Sequence, residues 1–266
     1  MRSFVLVSVL CLALFSFCTS TPTNQPAAAT SSKQMPANAG PANVTISDLN
    51  CWVERGQFFV TGICDNRAGE WQKIWLRLQP LDPSGNRITM NGDSSVVFAT
   101  LSDAVPPRGR TSFFVEWPVS AFSGSPDSCI ITGAGAELTN PGPIFAIIEN
   151  NGIKMIVPDT IANDSVIALE RAWQVNALVE NPLEMEARHL RLELLVYDTD
   201  QRLWFATVLN PEDPEQKATL YLEREGPMAP HEKRRIGTNI YYDNLPQALR
   251  AKKIGRVEFQ PFNAAQ

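Results

Sequence analysis

Leu192-Glu193-Leu194-Leu195-Val196-Tyr197-Asp198-Thr199-Asp200 is the stretch from which the fold of the chain can be inferred. In an extended strand Leu192, Leu194 and Val196 share one face, and the acidic residues that follow turn the chain. A weaker copy, again a strand followed by an acidic turn, lies upstream in residues 75–85. Two units of this kind predict a duplicated β domain.

The spacing of other landmarks supports the duplication. Asn181 lies 115 positions after Asn66, and Asp198 lies 116 positions after Asp82. The two copies therefore differ by a single residue between these landmarks. Register that is kept over several landmarks is typical of an internal repeat.

Short apolar segments recur at intervals of roughly ten residues between turns rich in Gly, Pro and Asn, a pattern typical of β-sandwiches. We therefore predict an all-β chain with two tandem immunoglobulin-like β-sandwiches. The predicted segments are a signal peptide at 1–20, a disordered linker at 21–42, a first sandwich at 43–137, a connector at 138–164 and a second sandwich at 165–263. Within the connector, Asn150-Asn151-Gly152 separates two apolar runs, which predicts a β-hairpin. In the second sandwich, residues 202–210 and 217–223 are expected to form an added hairpin around residues 211–214.

The N-terminus has the features of a secretion signal, because Arg2 precedes an apolar run over residues 4–17 that is shorter than a membrane span needs. Residues 15–18 resemble a bacterial lipobox with Cys18 as the lipidated residue, and ordinary cleavage after Ser20 is the alternative. The sequence thus predicts an exported protein, periplasmic or lipid-anchored at the outer membrane or cell surface. Membrane contact is expected only through a lipid on Cys18.

The charge of the chain argues against nucleic acid as a partner. The net charge is −5 at pH 7; residues 43–137 contain 7 basic and 10 acidic residues, and residues 165–266 contain 13 and 15. Neither half has the basic surface that binding to phosphates requires. We expect no cofactor, and an envelope protein or a glycan as the partner.

Three cysteines, Cys51, Cys64 and Cys129, lie beyond the signal region. They form no CxxC pair and have no neighbouring histidine, so a zinc site is not expected. In an oxidising compartment one disulfide and one free thiol is the simplest arrangement. The end of the second strand should lie near the start of the last, which predicts a Cys64–Cys129 disulfide; three free thiols are the alternative.

Exposed aromatic side chains are the candidate ligand contacts. Trp71, Trp75 and Tyr241 are predicted to face a ligand, because rings that stand out of a sandwich can stack on sugars or pack on a protein. Asp198 and Asp200, with residues 212–213 downstream, offer a calcium site as an alternative to their role as turn formers. No set of residues forms a recognisable catalytic site.

The chain resembles the bacterial FxLYD family of immunoglobulin-like domains. Leu194-Leu195-Val196-Tyr197-Asp198 is similar to the motif that names the family, with Leu for Phe and Val for Leu. Pro80-Leu81-Asp82 is a degenerate copy without the Tyr, and Pro107-Arg108-Gly109 resembles the family's Pro-Gly turn. The second copy departs from that turn, with Glu232 in place of the Gly.

The resemblance implies an extracytoplasmic binding or spacer module without catalytic residues. We therefore expect a non-catalytic envelope protein that acts by binding or presentation. The alternative is an envelope hydrolase or carbohydrate-active protein that uses loop carboxylates and exposed aromatic rings.

Overall fold

The computed structural model describes residues 34–140, 145–156, 172–210, 220–241 and 254–262. These residues form strands and one 3₁₀ turn at Val119–Ala121, so the predicted all-β class is confirmed. The strands of the first half are β1 Gly40–Pro41, β2 Val44–Glu54, β3 Gln57–Asn66, β4 Gln72–Leu81, β5 Val96–Ala99, β6 Arg110–Pro118 and β7 Ser128–Leu138. Those of the second half are β8 Ala146–Ile156, β9 Ala172–Glu180, β10 Leu192–Asp198, β11 Leu203–Leu209, β12 Leu220–Leu222, β13 Lys233–Tyr241 and β14 Ile254–Pro261.

The described strands form four antiparallel sheets. Sheet I has the order β1-β7-β4-β5, sheet II β2-β3-β6, sheet III β11-β10-β14 and sheet IV β12-β13-β9-β8. The order β7-β4-β5 recurs as β14-β10-β11, and the order β2-β3-β6 recurs as β8-β9-β13. The strand pairing of the first half is thus repeated in the second, with β1 and β12 as additions.

Alternating apolar residues explain why the sheets stack in pairs. Phe58 and Val60 of β3 belong to one buried cluster with Leu76 and Leu78 of β4, so this core lies between sheets I and II. In the second half, the quoted residues Leu192, Leu194 and Val196 of β10 pack with Val175, Ala177 and Val179 of β9, between sheets III and IV. Burial of each large aliphatic side chain stabilises such a core by about 1.5–3 kcal/mol.

Strand β10 is buried on both faces, and its second face joins the two halves. Leu195 and Tyr197, which point away from the core of sheets III and IV, form a buried cluster with Ile63 of β3. Phe114 of β6 packs edge-on against Phe205 of β11, with ring centroids 5.2 Å apart. Sheet II therefore packs on sheet III, and the four sheets stack in the order I, II, III, IV.

A buried carboxyl group lies in this contact between sheets II and III. The side chain of Glu193 is fully buried. One of its oxygens accepts hydrogen bonds from Thr111 Oγ1 (2.7 Å) and from the Ser102 hydroxyl. The other accepts from Ser112 N (2.9 Å), Ser112 Oγ (2.7 Å) and Gln260 Nε2 (2.5 Å). Four of these five donors belong to the first half of the chain, so the hydrogen bonds link the halves.

The two pairs of sequence landmarks occupy matching loops. Asn66 Nδ2 donates to the carbonyls of residues 70, 105 and 106, and Asn181 Nδ2 donates to those of residues 185, 228 and 229. Asp82 Oδ1 accepts the N–H groups of residues 84 and 86, and Asp198 Oδ1 accepts those of residues 200 and 202. The backbone and side-chain hydrogen bonds from Asn86 keep the pKa of Asp82 below its ordinary value.

The structure corrects three sequence predictions about the strands. The expected hairpin at Asn150-Asn151-Gly152 is wrong, because β8 runs unbroken through these residues and pairs with β9. A register shift between Asn151 and Lys154 accommodates the glycine as a bulge within the strand. The predicted linker 21–42 is too long, since Gly40 and Pro41 form β1 against β7.

The third correction concerns the segment after the quoted stretch, where an added hairpin of residues 202–210 and 217–223 was expected. β11 pairs with β10 in sheet III, whereas β12 pairs with β13 in sheet IV, so the two strands belong to different sheets. The predicted signal peptide at 1–20 lies outside the described residues.

Candidate functional site

An apolar groove of about 530 Å³ runs along one edge of the first sandwich, where sheets I and II come apart. One wall belongs to β2 and to Ala42, two positions before it, and the other belongs to β7. The lining residues are Ala42, Val44, Ile46, Leu49, Ile130, Ile131, Thr132, Gly133 and Ala134.

Both strands that line the groove have an open backbone edge. β2 pairs with β3 on one side, and no other described strand pairs with it. β7 pairs with β4 along its length, but β1 covers only Gly135 and Ala136 on the other side. The last contact there is the Ala42 N–H, which donates to the Ala134 carbonyl at 3.2 Å. From residue 133 back to residue 128, no described strand covers this side of β7.

A β-bulge interrupts each of these edges. In β2 the register shifts between Ser47 and Asn50, where Asp48 has a positive φ of 52°. In β7 the partners of Arg77 and Leu78 are Gly133 and Ile131, which leaves Thr132 as the extra residue. Bulges redirect side chains and end regular pairing. Each edge can therefore pair with another strand only over a short distance.

The groove is chemically uniform. None of its lining side chains is charged or aromatic, and Thr132 has the only side-chain hydroxyl among them. Leu49 and Ile130 keep 38% and 41% of their surfaces exposed, so aliphatic carbon is available to a ligand. A site of this composition favours aliphatic groups and offers backbone N–H and C=O groups as its polar contacts.

The groove was not predicted from the sequence, although the pattern of its residues predicts one of the two strands that line it. Val44 and Ile46 alternate with polar residues, which predicts a half-buried strand. That pattern does not show that β2 is an edge strand, nor that β7 lies across the gap from it. The groove exists because of the order of strands in sheets I and II, and local sequence patterns do not predict that order.

The three cysteines among the described residues are free thiols, and the predicted Cys64–Cys129 bond is absent. The neighbour of Cys129 is Cys51, whose side chain is hydrogen-bonded to it; this bond and burial raise the pKa of Cys129. Cys64 lies elsewhere in the same core, where burial, with a smaller effect of Asp65, raises its pKa to about 12. β2, rather than β3, lies next to β7, so Cys129 at the start of β7 meets Cys51 and not the end of β3.

The predicted ligand-facing aromatics lie away from the groove. Trp71 lies directly before β4 and Trp75 lies within it, and both are half-buried. Lys73 Nζ lies 5.5 Å from the centroid of the Trp75 ring. The same ammonium is 2.7 Å from Asp103 Oδ1, so the ring is covered by an ion pair on this side. The backbone of Tyr241 pairs with Ala172 in sheet IV, and its side chain lies outside the described residues.

Of the carboxyl groups considered for calcium, Asp198 serves the fold and Asp200 is exposed in the same turn. Asp198 is buried; one oxygen closes its own turn, and the other accepts a hydrogen bond from Trp204 Nε1. Residues 212–213 lie outside the described part of the chain. Within that part, no group of three or more His, Cys, Asp and Glu residues could hold a metal ion.

No known protein-family profile matches the chain, and no curated protein sequence is similar to it. The resemblance to the FxLYD family accordingly remains a prediction. Among the described residues there is no helix of the length and apolar character that would cross a membrane. Cys18, the candidate lipidation site, lies outside those residues.

Proposed function

We propose that the protein is a non-catalytic binding module of the cell envelope that holds a short, extended, aliphatic segment of a protein partner in the groove between β2 and β7. One observation carries this proposal: an uncharged aliphatic groove lies between two strand edges whose backbone groups are open. An extended peptide can bind such a site with backbone hydrogen bonds to an edge and with alternate side chains in the apolar gap. Export and attachment through Cys18 would bring the module to the envelope.

The lining favours a polypeptide over a glycan. Sugar sites use aromatic faces for stacking and several polar side chains for hydroxyl groups, and the groove has neither. Trp71 and Trp75 lie apart from it. Asp198, a loop carboxylate that the alternative of an envelope hydrolase or carbohydrate-active protein could use, is engaged in its own turn and with Trp204.

The bulges favour a short segment over a second copy of this chain. Edge-to-edge pairing between two copies would need a long regular run of backbone hydrogen bonds. The shifts at residues 48–49 of β2 and at Thr132 of β7 break that run. Bulges of this kind protect natural sheet edges from unlimited pairing. A segment of a few residues can still fit beside Ile130 and Leu49.

The binding proposal is tested with peptides selected from a random display library on the purified chain. We expect enriched peptides with aliphatic residues at alternate positions. Ile130→Asp should weaken their binding at least about tenfold, because it places a charge in the apolar gap. Leu138→Asp is the matched control, since Leu138 lies on the same strand, is 70% exposed and does not line the groove.

Binding is measured by titration of labelled peptide, and protection of the Ile130 and Thr132 amides is followed by hydrogen exchange. Equal binding by the Ile130→Asp and Leu138→Asp chains would contradict the proposed site. Concentration-dependent dimerisation that Ile130→Asp abolishes would identify a second copy as the occupant instead. Enrichment of peptides without alternating aliphatic residues would also contradict the proposal.

Attachment to the envelope is tested separately through Cys18. A diacyl group and an amide-linked third chain on Cys18 would give stable membrane association where one chain would not, because each buried methylene contributes about 0.8 kcal/mol. Residues 21–33, together with the few residues before β1, would then connect the bilayer to the first sandwich. Cys18→Ser should move the chain from the detergent-extracted fraction to the soluble one. A wild-type chain that is already soluble and begins at Thr21 would show that the protein is secreted without an anchor.

A further inference from the structure

Two of the three cysteines in the described part of the chain lie on opposite sheets, and their side chains are in contact. Cys51 belongs to β2 in sheet II, where it pairs with Val60, and Cys129 belongs to β7 in sheet I, where it pairs with Pro80. Both side chains pack in the core between these sheets, and they are hydrogen-bonded to each other. Cys64 packs in the same core, but its cross-strand neighbours are Ile46 and Thr111.

We propose that Cys51 and Cys129 form a disulfide that joins sheet I to sheet II at the groove, and that a disulfide donor oxidises them by thiol–disulfide exchange. The two residues belong to the two strands that form the walls of the groove: Cys129 directly precedes Ile130, and Cys51 follows Leu49 by two positions. The bond would fix the separation of β2 and β7 where no backbone ladder connects them. This inference rests on the thiol geometry and stands whether or not the groove binds a peptide.

The exchange balances without a bound cofactor. The thiolate of one cysteine attacks a sulfur of the donor disulfide, and the donor leaves as a thiolate, so a mixed disulfide remains. The thiolate of the second cysteine then attacks the protein sulfur of the mixed disulfide and releases the other half of the donor. In total two protein thiols become one disulfide, and the donor disulfide becomes two thiols, which take up the two protons.

The exposure of the two residues sets the order of the steps. Cys51 is partly exposed, and Cys129 is buried. Access to the donor therefore favours Cys51 as the first attacking group and Cys129 as the resolving one. The hydrogen bond that the Cys129 thiol makes to Cys51, together with burial, raises the pKa of Cys129, which also disfavours it as the first thiolate. Cys64 is fully buried, and it lies four positions along β3 from Val60, the partner of Cys51.

The pairing is tested on the purified full chain, first reduced and then exposed to glutathione disulfide. Non-reducing proteolysis and mass spectrometry should recover one peptide pair that joins Cys51 to Cys129, with the loss of two hydrogen atoms. Cys64 should be alkylated only after unfolding. Cys64→Ala should form the same pair, whereas Cys51→Ala should give none.

A second measurement separates the disulfide from a chance contact. The urea midpoint of the oxidised chain should be higher than that of the reduced chain, and Cys51→Ala should show no such difference. A bond between Cys64 and either other cysteine would overturn the inference. The inference would also be overturned by a wild-type chain in which Cys51, Cys64 and Cys129 all remain alkylatable after oxidation. A chain that forms only bonds between molecules would overturn it as well. Loss of peptide binding by Ile130→Asp has no bearing on these results.

Discussion

Asn66 and Asn181 show how a single side chain can determine a loop. Each is fully buried, and each directs its amide nitrogen at three carbonyl groups of two separate loop segments. Each side-chain oxygen also accepts the N–H of the residue two positions later, at 2.9 Å and 3.1 Å. Asparagine is suited to this role because it combines an acceptor with two donors.

We predict that Asn181→Ala lowers the free energy of unfolding by about 2–4 kcal/mol, because it leaves buried carbonyls and the Leu183 N–H without their partner. Asn86→Ala is the control: Asn86 is exposed, and its replacement should change stability by less than about 0.5 kcal/mol. Urea unfolding followed by tryptophan fluorescence measures both. A loss from Asn181→Ala no larger than that from Asn86→Ala would show that the loop does not depend on this side chain.

At the scale of single elements, β10 shows which part of its packing could be predicted from the sequence. The alternation of Leu192, Leu194 and Val196 predicted one buried face, and the structure confirms it. The same stretch contains Leu195 and Tyr197 on the other face, and a strand that is apolar on both faces is expected to be covered on both. That second signal was available in the sequence and indicates the contact with the first half. The partner strands β3 and β6 could not be predicted, because local patterns do not specify which sheets stack.

Strand β8 shows the opposite case, in which a strong local preference for a turn gave way to pairing with a neighbouring strand. Asn-Gly between apolar runs favours a tight turn, because both residues tolerate a positive φ. In the structure β9 pairs with β8 on both sides of the Asn-Gly segment, and eight paired backbone positions are more favourable than a short isolated hairpin. The preference of Asn-Gly for a turn is expressed only as the bulge at Gly152. Local chemistry predicted where the irregularity lies but not how the chain continues after it.

The molecule as a whole is a stack of four sheets, and the contact between its middle layers distinguishes it from two independent modules. Its apolar part consists of the cluster of Ile63, Leu195, Tyr197 and Leu203 together with the ring pairs Phe114–Phe205 and Trp52–Trp204. Hydrogen bonds add specific positions: Thr61 Oγ1 donates to the Leu203 carbonyl at 2.7 Å. Arg256 lies 3.9 Å from the centroid of the Tyr197 ring, which places a cation at the rim. A contact built in this way holds the groove at a fixed orientation to the second half.

Glu193 is the residue on which this arrangement depends most, because its carboxyl group satisfies donors from both halves at once. Glu193→Leu would leave the Ser112 N–H and the hydroxyls of Ser102, Thr111 and Ser112 buried without that acceptor. We predict a loss of about 3–5 kcal/mol in the free energy of unfolding, since each unsatisfied buried group costs about 1–3 kcal/mol and the hydroxyls can partly reorient. Glu193→Gln is the matched control. It keeps one oxygen for the Ser112 N–H and places its amide towards hydroxyls that can accept, so its loss should be less than half as large.

The same variant also tests whether the two halves unfold as one. With Glu193 in place, a single urea transition is expected, because the apolar and hydrogen-bonded contacts couple the sandwiches. In Glu193→Leu the weakened contact should separate the unfolding into two transitions, and small-angle scattering before the first transition should show a larger radius of gyration than the wild type. A Glu193→Leu chain with one transition, the wild-type midpoint and an unchanged radius would show that the apolar contacts alone hold sheets II and III together.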